Sequence, residues 1–328
     1  MPEFEVHKPQ SVAEALSLRS SLPDAMYIAG GTDLLPNLKH HLHAPKHLVS
    51  LAAVQGFVGI ERSDDGTLRI GAGTPLQMVA DSTAVRLAAP ALAMAAGLVA
   101  GPQHRNMGTL GGNVMLDTRC LFYNQTHHWR SALGFCLKKE GTWCHVVGSK
   151  ATCVAAQSSD TVPALVVLGA RLAVDDGAQR EIPLEDLYAQ DGRFEEAHSL
   201  PAHALITAII VPPQPPGHRS VYRKVRTREA VDFPQVGVAI AAAFDGPLVT
   251  ALSACVGAVL PKPRVLKGFE SGLGTALDDA TIEALAEAAF KQVRPQRNIH
   301  GDPAWRRHMV RVEVRRALQE LRSTGRAS

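Results

Sequence analysis

Residues 105–113 read Arg-Asn-Met-Gly-Thr-Leu-Gly-Gly-Asn and contain a pair of adjacent glycines. An earlier turn, Ala29-Gly30-Gly31-Thr32-Asp33, also contains paired glycines. Glycine has no Cβ atom, so its backbone N–H can approach an anion closely, and it adopts the positive φ of a tight turn. Neither turn matches the G-x-G-x-x-G dinucleotide pattern or the P-loop. Each turn alone is therefore more often a plain tight turn than a phosphate site.

Composition excludes several classes of protein. The chain has 328 residues, 46% apolar and 20% charged, with a net charge of +3, so we expect two or three globular domains. No apolar run approaches the roughly 20 residues of a membrane span, and the N-terminus lacks the pattern of a secretory signal. The basic residues are scattered, which argues against nucleic-acid binding. Five cysteines are too sparse for a disulfide framework, so we predict a cytoplasmic protein.

Hydrophobic patterns predict mixed strands and helices. Ser11 and Glu14 form a capping-box pattern at a helix start, and Thr74 as N-cap with Pro75 at the first helical position predicts a second helix start. An Asp245-Gly246 turn predicts a hairpin. The strands are expected at 4–7, 25–29, 49–54, 162–168, 204–211, 236–244 and 248–259, and C-terminal helices at 280–293 and 304–321.

Four motifs, taken in their order along the chain, are more specific than any one of them. They are Ala29-Gly30-Gly31-Thr32-Asp33-Leu34, the stretch at 105–113, Ser159-Asp160-Thr161-Val162-Pro163-Ala164, and Tyr222-Arg223-Lys224-Val225-Arg226-Thr227-Arg228. With these four motifs in this order, the chain resembles the FAD-binding medium subunits of the molybdenum hydroxylase family, such as those of xanthine and carbon monoxide dehydrogenases. The resemblance covers essentially the whole chain. The resemblance implies an α+β fold with two α/β subdomains and a C-terminal antiparallel sheet with helices. The expected ranges are 1–55, 56–216 and 217–328.

The resemblance implies FAD as a cofactor. It places both glycine turns at the pyrophosphate, Asp160 at the adenosine, and Lys224 with backbone near Ile206 at the isoalloxazine. The chemistry agrees, because amides suit phosphate, carboxylates suit hydroxyls, and a cation suits a flavin that becomes anionic on reduction. Asp160 as a turn cap and Lys224 as a solvated charge remain alternatives. The implied cofactor residues are Ile28, Ala29, Gly30, Gly31, Thr32, Asp33, Leu34, Leu35, Gly101, Thr109, Gly111, Gly112, Asn113, Asp160, Ile206 and Lys224.

The segment 117–153 holds four of the five cysteines: Cys120, Cys136, Cys144 and Cys153. No C-x-x-C pair is present, so the spacing alone does not distinguish zinc from an iron–sulfur cluster, and free cysteines are often simply buried. Most medium subunits lack such a loop, and its presence resembles the β subunits of 4-hydroxybenzoyl-CoA reductases, a branch of the same family. That resemblance implies a [4Fe–4S] cluster on these four residues. Cys255 lies in an apolar strand and is not included in the predicted ligand set.

The family implies partners as well: a molybdopterin-bearing large subunit and a small subunit with [2Fe–2S] clusters. The expected function is electron relay from ferredoxin, through the [4Fe–4S] cluster and FAD, toward reductive dehydroxylation of 4-hydroxybenzoyl-CoA at the partner's molybdenum. Two alternatives remain open. One is an oxidative hydroxylase subunit that passes electrons outward, and the other is a zinc-stapled assembly protein without a redox role.

A histidine patch follows the first glycine turn. It comprises His40, His41, His43 and His47. His43 and His47 would share a helix face at a spacing suited to zinc, but Pro45 breaks the helix between them. We therefore expect this patch to be solvated surface.

Overall fold

A computed structural model describes residues 1–194 and 200–323, and it begins with a parallel sheet of order β1-β3-β2. Ser11 caps the first helix by accepting a hydrogen bond from the backbone N–H of Glu14, as predicted. Because β2 runs directly into Gly30 and Gly31, the first glycine turn lies at the carboxyl edge of this sheet. Its elements are β1 (Glu5–His7), α1 (Val12–Ser21), β2 (Ala25–Ile28), α2 (Leu34–Lys39) and β3 (His47–Ser50).

The second sheet is antiparallel, with order β4-β5-β8-β6-β7, and one core of buried apolar residues continues into it from the first sheet. Short helices cover it and carry the second glycine turn. The strands are β4 (Ile60–Arg62), β5 (Leu68–Gly71), β6 (Arg171–Asp175), β7 (Gln179–Pro183) and β8 (Leu205–Val211). The helices are α3 (Leu76–Asp81), α4 (Thr83–Ala88), α5 (Pro90–Gly97), α6 (Pro102–Met107), α7 (Leu110–Val114), α8 (His127–Ala132) and α9 (Thr161–Val167).

The third sheet has a core of its own, in which β10 packs against the last helix. Its order is β12-β11-β10-β9, and all its pairings are antiparallel. Its elements are β9 (Arg219–Val225), β10 (Val236–Asp245), β11 (Leu248–Gly257), β12 (Arg264–Val265), α10 (Asp279–Gln292) and α11 (Pro303–Ser323). This confirms the predicted α+β class with a C-terminal antiparallel sheet and helices. None of the helices in the described residues is long and apolar enough to cross a membrane.

The domain ranges 1–55, 56–216 and 217–328 stay predictions. Residues 195–199 and 324–328 of those ranges lie outside the described part of the chain.

Three local predictions are wrong. The run 162–168 forms helix α9 instead of a strand; its side chains are buried on every face, which removes the periodicity that separates helix from strand. The predicted strand 49–54 ends at Ser50 and becomes a 3-10 turn. Thr74 does not cap α3; its hydroxyl bonds to the backbone of Gly59, and Pro75 takes the cap position.

Candidate functional site

Both glycine turns pack closely against neighbouring backbone: Gly30 against Met107 and Gly108, just before the second turn, and Gly111 against Ala72. A Cβ atom on Gly30 would lie 1.8 Å from the carbonyl oxygen of Met107, and one on Gly111 would lie 2.7 Å from the Cβ of Ala72. Contacts this short leave no room for a side chain. Gly30 and Gly111 are therefore required by the close approach of chain segments, which fixes the two turns relative to one another.

Gly31 is needed for a different reason. Its φ is +71°, a left-handed conformation that other residues adopt only with strain. The backbone N–H groups of Gly31, Thr32 and Asp33 have no hydrogen-bond acceptor among the described residues. The side chains of Ile28 and Leu35 flank Gly31. A half-buried turn with free amide donors can bind a diphosphate, so this part of the chain fits the pyrophosphate of FAD.

The second turn offers fewer free donors. The N–H groups of Leu110 and Gly111 donate to the carbonyls of Thr74 and Ala72, and that of Gly112 donates to the hydroxyl of its capping residue, Thr109. Gly112 is exposed, and a Cβ on it would meet nothing but that hydroxyl, at 3.0 Å. The second turn can therefore border a ligand, but its backbone donors are mostly occupied within the protein.

Asn113 connects the second turn to the Ser-Asp-Thr motif. Its Oδ1 accepts hydrogen bonds from the hydroxyls of Ser159 and Thr161, each at 2.7 Å. These bonds place the start of α9 beside the glycine turns. Three of the four sequence motifs thus meet in one region of the fold.

Asp160 and Lys224, which the resemblance assigns to opposite ends of FAD, contact each other in this structure. Lys224 Nζ lies 2.8 Å from Asp160 Oδ2, and Tyr222 donates its hydroxyl to Asp160 Oδ1 at 2.7 Å. Both charged side chains are at most 4% exposed. In this structure each charge is therefore satisfied by the other, and the separate roles of Asp160 and Lys224 at FAD stay predictions. Burial raises the pKa of Asp160 and lowers that of Lys224, while each partner's charge opposes the shift.

Gly101 and Ile206 lie at different parts of this region. Gly101 is the buried N-cap of α6, three residues after Leu98, whose carbonyl accepts a hydrogen bond from Lys224 Nζ at 3.0 Å. Ile206 is buried, and the next residue, Thr207, accepts from the N–H of Ala72 beside the second glycine turn. Neither residue has a polar side chain, so backbone and shape are what they can offer a ligand.

Three of the four cysteines of segment 117–153, namely Cys120, Cys136 and Cys153, lie in one buried cluster, although 33 positions separate the first from the last. All four are buried free thiols. Burial raises the pKa of Cys120 to about 12, and the charges of Cys153, Cys136 and Cys144 add to that rise, which reflects their proximity. Burial likewise raises the pKa of Cys153 to about 11, while the ammonium of Lys138 opposes the increase. In this state the thiols of Cys120 and Cys153 are protonated at neutral pH.

The sulfur atoms are spaced more widely than a closed zinc site requires. Tetrahedral zinc with Zn–S bonds of about 2.3 Å holds its sulfurs about 3.8 Å apart. Among the described residues, which include all four cysteines, no three of these sulfurs lie within 4.8 Å of one another. The described structure therefore does not hold three of these sulfurs in the arrangement of a closed zinc site.

Two buried cations hold the cysteine segment in place. Lys138 donates to Asp117 Oδ1 at 2.6 Å and to the carbonyl of Gly192 at 2.8 Å. Arg130, with 1% of its side chain exposed, bonds to Glu140 and to the carbonyl of His41. The segment is thereby fixed to both the first and the second sheet regions.

A cavity of about 530 Å³ lies between the cysteine segment and the third sheet, and Cys120 is part of its wall. Arg119, the preceding residue, also lines it and pairs with Asp33 of the first glycine turn at 2.9 Å. The guanidinium of Arg119 stacks on Phe233, 3.9 Å from the ring centre. Arg119 therefore connects the segment that contains Cys120 to the first glycine turn, which is called the flavin turn below.

Sequence reasoning missed several residues of this region. Arg119 and Lys138 were visible only as charges near the cysteines, and Phe233 carried no signal, because its partner is distant in sequence. Tyr222 lies within a recognised motif, and its position two residues before Lys224 on a strand places both side chains on the same face. That spacing was the one available signal for the buried Asp160 contact.

Comparison with known proteins identifies the family. The model of the FAD binding domain in molybdopterin dehydrogenase matches residues 2–214, and that of the CO dehydrogenase flavoprotein C-terminal domain matches 220–321. The chain is similar to the aldehyde oxidoreductase FAD-binding subunit PaoB of Escherichia coli (strain K12), with 33% identity over 91% of this chain and 96% of that one. It is also similar to the carbon monoxide dehydrogenase medium chain of Hydrogenophaga pseudoflava, with 28% identity over 97% and 96%.

Solved structures agree with this family. Carbon monoxide dehydrogenase from Hydrogenophaga pseudoflava superimposes with a TM-score of 0.79 at 26% identity, covering 97% of this chain and 96% of that one. Quinoline 2-oxidoreductase from Pseudomonas putida 86 shares the fold, with a TM-score of 0.80 at 21% identity over 99% and 98%. The chain therefore belongs to the FAD-binding subunits of the molybdenum hydroxylase family, and it is a flavoprotein subunit of an oxidoreductase.

Proposed function

We propose that this chain transfers electrons within a larger cytoplasmic molybdenum enzyme, using FAD and a [4Fe–4S] cluster held by Cys120, Cys136, Cys144 and Cys153. The observation that carries the proposal is the gathering of four buried free thiols in one segment, next to a residue paired with the flavin turn. A flavin exchanges electrons singly or in pairs and a cysteine-bound cluster exchanges them singly, so together they connect two-electron chemistry to one-electron carriers. The proposed partners are a molybdopterin-bearing large subunit and a [2Fe–2S] small subunit.

The flavin is proposed to lie along the two glycine turns. The free amides of Gly31, Thr32 and Asp33 support a role at the pyrophosphate, with Gly112 and Asn113 on the opposite side. Ile28, Ala29, Leu34 and Leu35 flank the first turn and supply apolar walls. The remaining proposed neighbours are Gly30, Gly101, Thr109, Gly111 and Ile206. The buried pair of Asp160 and Lys224 holds the N-terminus of α9 in place.

The protein's own residues mainly position the proposed cofactors and exclude water from them. Arg119 keeps its charge near Asp33, which fixes the side of the turn nearest Cys120. Lys138 places a positive charge near Cys153, and that charge favours the thiolate form that iron requires. Burial of all four sulfurs keeps solvent from the ligands.

Replacing Gly30 with alanine is expected to lower FAD affinity at least about tenfold. The added methyl would lie 1.8 Å from the Met107 carbonyl, so the turn and its free amides must move. Gly97→Ala in α5 is the matched comparison, because its methyl would meet only the Cβ of Ala80, at an ordinary contact distance of 3.6 Å. Fluorescence titration of the FAD-free protein measures both. Equal affinity in parent and Gly30→Ala would remove the proposed role of the first turn.

Two substrate directions are candidates. The first is the reductive one, with ferredoxin as donor and 4-hydroxybenzoyl-CoA reduced at the partner's molybdenum; it is supported by the four-cysteine loop and by the low potentials that cysteine-bound clusters reach, down to about −700 mV. The second is oxidation of a substrate such as an aldehyde, with electrons leaving through this subunit. The similarity to an aldehyde oxidoreductase subunit and to several dehydrogenase subunits favours this second candidate.

Anaerobic absorbance changes of the purified complex distinguish the directions. If the reductive candidate holds, 4-hydroxybenzoyl-CoA reoxidises a flavin that was first reduced with a low-potential donor. If the oxidative candidate holds, an aldehyde bleaches the oxidised flavin without any added reductant. Measuring iron, acid-labile sulfide, zinc and flavin in the same sample tests the zinc-stapled assembly protein: zinc without flavin or sulfide would support it and overturn the electron-transfer proposal.

A further inference from the structure

A histidine–carboxylate cluster lies on the N-terminal sheet, away from the flavin turn and the cysteines. We propose that Glu5, His7 and His47 bind a divalent transition-metal ion of the zinc class. Glu5 Oε2, His7 Nε2 and His47 Nδ1 all lie within 4.8 Å of one another, and among the described residues this is the one group of three such ligands that do so. His47 belongs to the patch expected to be plain solvated surface, but it pairs with the N-terminal strand and not with His43.

Strand geometry brings the three side chains together. Glu5 and His7 are two residues apart on β1, so their side chains point to the same face. The parallel register of β1 and β3 places Glu5 directly opposite His47. The cluster is thus fixed by backbone pairing and does not depend on flexible loops.

The distances match the edges of a tetrahedral site. His7 Nε2 lies 3.2 Å from His47 Nδ1, and Glu5 Oε2 lies 3.4 Å from His47 Nδ1 and 3.9 Å from His7 Nε2. Bonds of about 2.0–2.1 Å from zinc to nitrogen and oxygen give edges of about 3.3 Å between ligands. Two imidazoles with one carboxylate favour zinc, copper or nickel over calcium or magnesium, which prefer oxygen ligands.

The cluster is accessible and separate from the electron-transfer site. The side chains of His7 and His47 are 26% and 18% exposed, so an ion can enter while water completes its coordination. Glu5 and His47 lie level with Ala25, the first residue of β2, whereas the flavin turn follows the last residue of that strand. An ion here would link β1 to β3 without touching the cofactors. A hydrogen bond between the two imidazoles is the competing explanation for their short contact.

Metal titration of the flavin- and iron–sulfur-loaded protein, after removal of adventitious metal with a chelator, tests the proposal. We expect one zinc ion per chain, with at least about tenfold weaker binding in His7→Gln and in Glu5→Gln. The side chain of Glu5 is 75% exposed, so Glu5→Gln should leave the sheet folded. The matched control is His308→Gln on the exposed surface of α11, which should bind as the parent does.

Cobalt identifies the ligands independently of activity. Co²⁺ at this cluster should give weak visible bands without the strong near-ultraviolet charge-transfer band of thiolate ligands, and His7→Gln should remove them. A thiolate band would place the ion on the cysteines and overturn the proposal. Equal zinc affinity in parent, His7→Gln and Glu5→Gln would do so as well, leaving an imidazole–imidazole hydrogen bond as the explanation.

Discussion

Replacing Cys144 with alanine is expected to reduce the iron content from about four atoms per chain to nearly none, while FAD stays bound. A methyl group cannot ligate iron, and three remaining thiols do not hold a four-iron cluster in a stable form. The flavin turns lie outside segment 117–153, so their amides and glycines remain in place. Iron and acid-labile sulfide assays, with the flavin absorbance spectrum, measure the result. Reduction of the flavin by a one-electron, low-potential donor should slow by at least about tenfold in the same variant.

Cys255→Ala is the matched control for this prediction. Cys255 is also a fully buried free thiol, but it lies in β11 within the apolar core. Its replacement removes the same sulfur atom and should leave iron, sulfide and flavin unchanged. If Cys144→Ala retained full iron and sulfide, or if Cys255→Ala lost them equally, the four-cysteine ligand set would be wrong.

The order of the motifs predicted the fold through resemblance to a known family, and the structure shows which local backbone requirements the glycines of those motifs meet. Gly31 needs a positive φ, and Gly30 and Gly111 need room for neighbouring backbone, so the residues themselves carry the information. Helix α9 shows where local information ends. Its apolar residues pack against the core on all sides, and the sequence therefore has no polar face to mark the helical period.

The site was predicted less completely than the fold, for a related reason. The motifs predict which residues surround a flavin, but which side chains already pair with one another depends on contacts between distant segments. Asp160 and Lys224 are 64 positions apart and form one buried pair, which neither motif reveals alone. Arg119 and Asp33 likewise meet across 86 positions. The convergence of the four cysteines was inferred from composition and resemblance, since their spacing contains no signature.

Lys224→Met and Asp160→Asn are each expected to lower the free energy of unfolding by about 3–5 kcal/mol. Each change leaves a buried polar or charged group without its counter-charge, and neither site is open to water. The double variant should lose less than the sum of the two single variants, because it leaves no unpaired charge. Chemical denaturation followed by circular dichroism gives all three values. Arg228→Met, in an exposed ion pair with Asp232, is the matched control and should change little.

The same variants decide whether Lys224 also acts on the flavin. If the pair is purely a support for α9, both single variants change FAD affinity together and leave the flavin reduction potential near that of the parent. If Lys224 contacts the isoalloxazine in the FAD-bound protein, Lys224→Met lowers the potential, because a cation favours the anionic reduced flavin. Asp160→Asn would then shift the potential in the opposite direction, since it frees the ammonium from its carboxylate. If the stability losses of the two single variants are additive in the FAD-bound protein and the potentials shift in opposite directions, the pair separates when FAD binds.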